Sequence, residues 1–198
     1  MKSLEPNTLG SLPPSISRYF PSNYVFVRYG VHGEGSCFFL SVCVAKNHKN
    51  FLYVSPSEQK QIGREFRCAF ANKITDAAWH EHMESRNLNT MTVAEARRKF
   101  CTATTWADEA MITFVSKELG LNIIFIDTEN EKLYCGVHGQ RDEPMIIVLW
   151  VERSHFEPVG VVHDIRDDAT AVQFLFDPVA DATIIDHVMN KYVTQCDV

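Results

Sequence analysis

Apolar and polar positions change period along the chain in a way that separates helices from strands. Residues 24–28, "YVFVR", suit a short extended strand. After the turn at Gly33–Gly35, residues 37–46, "CFFLSVCVAK", are apolar on nearly all sides, which places a helix there in the centre of the domain. Ser55, Pro56 and Glu58 read as N-cap, first helical residue and returning capping-box acid. Ile62, Phe66, Ala69, Phe70 and Ile74 then form a helical stripe. Thr92 with Glu95 predicts a second capped helix to about Cys101. Thr104 or Thr105 is expected to cap a third, with Ala107, Ala110, Met111, Phe114, Val115 and Leu119 on one stripe and Gly120 as its stop.

The second half turns to short apolar runs. Residues 121–127, 132–137, 145–151 and 156–162 read as strands of one sheet, and 170–176 as a further strand. A last helix is expected from Asp177-Pro178, with Ala180, Ile184, Val188 and Tyr192 on one face. Helices come first and strands mostly after, an α+β arrangement. The expected division is an irregular N-terminal arm over 1–22, a core over 23–165, and a strand and helix over 166–198 packed on the same domain.

Composition narrows the function. At 198 residues and 45% hydrophobic, with thirteen Phe and three Trp, the chain can bury a substantial core. The formal net charge is -6 and no basic run occurs, which argues against nucleic acid or an anionic membrane as partner. No apolar stretch approaches the ~18 residues of a membrane span. The first residues, "MKSLEPNTLGSLPPSISRYF", lack the apolar centre of a secretory signal, so reduced thiols in a cytoplasmic compartment are expected. No CxxC pair occurs among the six cysteines. His80-Glu81-His82 places two histidines at i and i+2, which diverge on a helix, so it reads as a solvated helix and no metal site is expected.

The chemistry gathers at residues 33–42, "GEGSCFFLSV". Cys37 falls between a glycine turn and a buried helix. It reads either as a small core residue or as a nucleophile at the helix N-terminus. There, unpaired N–H groups and the helix dipole would lower the thiol pKa and receive an oxyanion. Gly35 would let a substrate approach the backbone closely. A cysteine nucleophile needs a base, and His155 lies at the turn between two apolar runs, on the rim of the sheet. Glu157, two residues on, shares its strand face and is placed to fix the imidazole tautomer. The alternative is a surface histidine beside a solvated glutamate.

Three segments, in order and spanning residues 24–162, resemble the ovarian-tumour (OTU) family of cysteine proteases. These are "HGEGSCFFLSV", "TWADEAMITFVSKELGLNIIFID" and "LWVERSHFEPVG". The resemblance implies a papain-like, OTU-type fold with helices around a small, mostly antiparallel sheet. It implies Cys37 as nucleophile, His155 as general base and Glu157 as the orienting acid. Glu34, Gly35 and Ser36 would form the loop of the oxyanion hole. Both acidic positions are Glu where the family has Asp, or Asp/Asn. Ser36 replaces a frequent Asn, and Ala107 stands where Gly often follows the Trp. The implied activity is deubiquitination, with ubiquitin or polyubiquitin as partner, no cofactor, and a monomeric enzyme of the cytoplasm or of a host cytosol. Trp106, Trp150, Ser154 and Phe156 are expected to line the channel for the Gly-Gly tail, whereas Phe39 is expected to be core. The alternatives are a non-catalytic ubiquitin-binding module and a protease for another ubiquitin-like modifier.

Overall fold

The two periodicities resolve into three layers built on one sheet. The computed structural model describes residues 1–85, 91–134, 142–163 and 172–196. In chain order the elements are β1 (Leu9–Ser11), α1 (Pro14–Ser17), β2 (Val25–Tyr29), α2 (Cys37–Phe51), α3 (Pro56–Lys73) and α4 (Asp76–Ser85). They continue with α5 (Val93–Cys101), α6 (Glu109–Leu119), β3 (Asn122–Asp127), β4 (Lys132–Leu133), β5 (Met145–Val151), β6 (His155–Val162), β7 (Val172–Gln173) and α7 (Ala182–Cys196).

The strands lie in the order β1-β2-β6-β5-β3-β4, and β7 pairs with the end of β6. All pairings are antiparallel except β3 with β5. The residues of β3 are all buried, and those of β5 nearly so, because both sheet faces are covered. On one face Ile123, Phe125, Ile146, Val148 and Phe156 pack against α2, α3, α5 and α6. On the other, Ile124, Ile126, Ile147, Leu149 and Val151 meet Ile16, Phe20 and the Ile184, Ile185 and Val188 stripe of α7. Alternation along each strand assigns neighbours to opposite layers.

Both predicted capping boxes form. Ser55 and Glu58 close the start of α3, Thr92 and Glu95 that of α5, and Gly120 ends α6 at φ 57°. Other boundaries differ, each for a local reason. The cap of α6 is Asp108, whose side chain accepts from Met111 N (3.0 Å), so Trp106 and Ala107 stay in the preceding loop. The start of α7 is delayed to Ala182. Asp177 accepts from the N–H groups of Val179 and Ala180 (2.8 and 2.9 Å) and turns the chain first. Helix α2 runs past residue 46 but breaks at Asn47 (φ -152°, ψ 49°). His82 is buried, with Nε2 3.1 Å from Ala110 O, where a solvated helix face was expected. Of the run 132–137, residues 135–137 lie outside the described residues, as does the Tyr192 side chain.

The segment over 1–22, expected to be irregular, contributes a strand and one helical turn. β1 pairs with β2 through Leu9↔Tyr29, Gly10↔Arg28 and Ser11↔Val27. Gly30 makes room for this segment: a Cβ there would lie 2.0 Å from Glu5 O. Among the described residues the cysteines Cys37, Cys43, Cys68 and Cys101 are free, no group of side chains is arranged to hold a metal, and no helix is long and apolar enough to cross a membrane.

His48 on α2 is buried between Tyr29 and Phe174, with ring centroids at 5.1 and 4.5 Å. Burial lowers its pKa to about 4. An unfolded chain takes up that proton near pH 6.5, so the folded state loses stability as pH falls from ~6.5 towards 4. His48→Phe should therefore shrink the drop in Tm between pH 7.5 and 4.5. An identical drop in the variant would place the acid sensitivity elsewhere.

Candidate active site

The first turn of α2 is delivered by two successive left-handed residues, Glu34 (φ 66°) and Gly35 (φ 80°). Only glycine fits the second. A Cβ on Gly35 would lie 2.6 Å from Ala103 O. Helix α3 backs this loop at Gly63, where a Cβ would come within 3.0 Å of the Ser36 side chain.

One buried guanidinium ties the loop down. Arg67 of α3 donates to Gly35 O (2.7 Å), Thr105 O (2.7 Å), Phe100 O (2.8 Å) and Lys99 O (2.8 Å). It also lies over the Phe39 ring at 4.8 Å. Its partners are carbonyls, two of them at the C-terminal end of α5, where a cation is favoured. Burial brings its pKa down to about 10. Sequence reading missed Arg67 because it follows Phe66 on an otherwise ordinary amphipathic helix.

Ser36 is the N-cap of α2 and makes no side-chain cap bond. The first-turn N–H groups are therefore not occupied by a capping side chain. The Cys37 sulfur receives the N–H groups of Phe156, Phe38 and Cys37 itself. Cys37 is 4% exposed, and burial outweighs these donors, raising its pKa to about 11. The expected lowering towards neutrality is not found in the resting protein: desolvation of a thiolate exceeds what the helix N-terminus returns.

His155 starts β6 after a turn in which Glu152 and Arg153 are left-handed (φ 50° and 51°) and Ser154 N–H donates to Val151 O (3.0 Å). Burial, followed by the charge of His32, lowers its pKa to about 4. The Ser41 hydroxyl joins the two halves of the site, 2.8 Å from Cys37 O and 3.2 Å from Phe156 O. The thiol thus faces the residue next to His155 in the chain. Among the described residues the ring's Nε2 has no hydrogen-bond partner, and it lies 3.9 Å from Glu157 Oε1.

Glu157 is fully buried and already engaged. Oε1 accepts from Leu4 N–H (2.5 Å) and Oε2 from Arg28 Nη1 (2.8 Å). Arg28 Nη1 also donates to Lys2 O (2.9 Å). A lone arginine closing the apolar run "YVFVR" was the one available signal for this pair. Glu34 points the other way, exposed, with a salt bridge to Lys60 (3.1 Å). It contributes its backbone to the loop.

Trp150 and Phe156 lie nearly parallel (15°, centroids 6.5 Å) and line an apolar cleft of about 170 Å³, whose lining includes neither Cys37 nor His155. Ala107, Glu109, Ile112, Phe125 and Tyr134 complete it. Trp106, half exposed, and Ser154 are not among its lining residues. Phe39 is wholly buried between Phe66 and Phe100, as expected for core. A buried thiol at a helix start, a neutral imidazole at the start of the adjoining strand and main-chain N–H groups between them are the groups that thiol nucleophilic chemistry draws on.

No protein-family model and no curated protein matches the sequence. Solved structures do. An OTU domain in complex with ubiquitin superposes with a TM-score of 0.57 over 98% of this chain and 94% of its own, at 13% identity. The OTUD1 OTU domain gives 0.49 over 68% and 85%, at 17% identity. The viral OTU domain protease from Qalyub virus gives 0.49 over 79% and 91%, at 19% identity. The chain has the papain-like fold of OTU domains.

With both groups neutral at rest, alkylation of Cys37 by iodoacetamide should climb with pH through 9, without a plateau near neutrality. A plateau below pH 7 would reveal a preformed thiolate.

Proposed function

We propose, from the OTU fold of this chain, that it is a cysteine-type deubiquitinase hydrolysing isopeptide bonds at the C-terminus of ubiquitin. The observation that carries the reading is the meeting of the first turn of α2 with the start of β6, which sets the Cys37 sulfur against the Phe156 N–H, one residue from His155. A fold alone does not specify an activity, and it is this junction of helix start and strand start that supports one.

Neutral His155 removes the Cys37 proton as the sulfur attacks the carbonyl of the terminal glycine. The carbon–sulfur bond forms, and the oxyanion turns towards the N–H groups of Cys37 and the 34–36 loop. The imidazolium then gives its proton to the departing lysine amine, leaving a thioester. The same ring deprotonates a water that cleaves the thioester and regenerates the thiol. Glu157 offsets the imidazolium charge, which a buried ring needs. The cleft walled by Trp150, Phe156 and Tyr134 takes an apolar stretch of the substrate chain.

A second reading is a ubiquitin-binding module without turnover, favoured by the unbonded His155 Nε2 and the raised thiol pKa. Ubiquitin carrying a C-terminal electrophile separates the two. The deubiquitinase should form a covalent adduct that Cys37→Ala abolishes, and His155→Ala should slow turnover by at least ~10²-fold. Binding without adduct supports the module, and an adduct only with another ubiquitin-like modifier redirects the substrate.

A further inference from the structure

The buried carboxylate behind His155 is held by groups far from it in the chain. Oε1 takes the main-chain N–H of Leu4, and Oε2 takes the Arg28 guanidinium, which also binds Lys2 O. The segment is seated independently. Asn7 N–H donates to Gly30 O and Gly30 N–H to Thr8 O, each at 2.9 Å, and Tyr29 Oη donates to Asn7 Oδ1 at 2.8 Å. Glu157 is longer by one methylene than an aspartate, so its carboxylate has more rotameric freedom, and these donors remove it.

We infer that the Leu4 main-chain N–H and the Arg28 side chain are positioning groups of the active site, fixing both oxygens of Glu157 so that Oε1 stays beside His155 Nε2. This rests on the catalytic reading of Cys37 and His155.

The chemistry that requires them is charge retention. Burial drives Glu157 towards its neutral form, and Leu4 N–H and Arg28 act against that. A neutral Glu157 cannot stabilise the imidazolium. The groups facing this carboxylate are Arg28 from β2, Leu4 N–H from the N-terminal segment, His155 on its own strand and Glu152 from the β5–β6 turn. His32 acts on the ring from the loop before α2. Glu152 raises the Glu157 pKa, whereas Leu4 N–H and Arg28 favour its charged form.

Proline at position 4 removes the N–H that Glu157 Oε1 accepts from. Leu4→Pro should lower kcat by roughly 10-fold, the scale of one lost hydrogen bond to a charged group, with KM little changed. It should also move the acid limb of the kcat profile to higher pH, because Glu157 then protonates earlier. Ser3→Pro sets the same ring one residue earlier and keeps the donor, so its profile should match that of the unsubstituted chain. Arg28→Gln should shift the limb the same way as Leu4→Pro, and Arg28→Lys should restore it. An unmoved limb in Leu4→Pro, or equal losses in Ser3→Pro and Leu4→Pro, would overturn the inference. A readout independent of activity is the Glu157 carboxyl ¹³C titration, whose midpoint should rise in Leu4→Pro. If the full chain forms no adduct with the ubiquitin electrophile, the catalytic reading fails, and the carboxyl titration still decides whether Leu4 N–H holds the charge on Glu157.

Discussion

The Ser41 hydroxyl lies within hydrogen-bonding distance of two main-chain oxygens, Cys37 O in its own helix and Phe156 O in the sheet, 115 residues further along the chain than Ser41 itself. Around this junction the aromatic packing is continuous. Phe38 contacts Phe156 and Phe125, and Phe125 contacts Phe156, all at centroid distances of 5.5 to 6.0 Å. The hydroxyl and the rings divide the task. The rings supply apolar burial, which is strong but tolerant of small slides. The directional bond fixes the rise of the helix along the strand. A slide of one residue in β6 would turn His155 and Glu157 to the opposite layer.

Two arginines sustain the geometry on either side of that junction, by different means. Arg67 donates to carbonyls and lies over an aromatic face, and it locks the loop before Cys37. Arg28 meets a carboxylate, and it locks the strand after His155. Neither is a surface ion pair of marginal value, since both are buried. Lysine would keep the charge at position 67 but lose the fork that reaches Lys99 O, Phe100 O, Gly35 O and Thr105 O together.

Much of this was legible from residues that act locally. Capping boxes, the Gly120 stop and the apolar runs of β3 and β5 declare themselves within a few residues, because the physics is short-range. Cys37 was legible as a helix start and His155 as a turn residue before a strand, and β6 begins one residue earlier than expected, at His155 itself. The Leu4–Glu157 bond was not, because nothing in "KSLEP" signals that a main-chain N–H will meet a carboxylate 153 residues away. Arg67 was hidden for the same reason, as its partners are backbone oxygens, which every residue carries. The raised thiol pKa was misjudged by weighing the helix end and omitting the depth of burial, a property of the assembled layers.

The strand order has a consequence for how the protein is made. β2 is flanked by β1, from the start of the chain, and by β6, which pairs with it through Val25↔Val162 and Arg28↔Val159. Such distant pairings close late, because the entropy of a long loop is lost before any contact rewards it. During synthesis the thiol of Cys37 leaves the ribosome long before the strand that covers it. A growing polypeptide therefore carries an exposed, uncommitted cysteine until β6 has been made and laid beside α2.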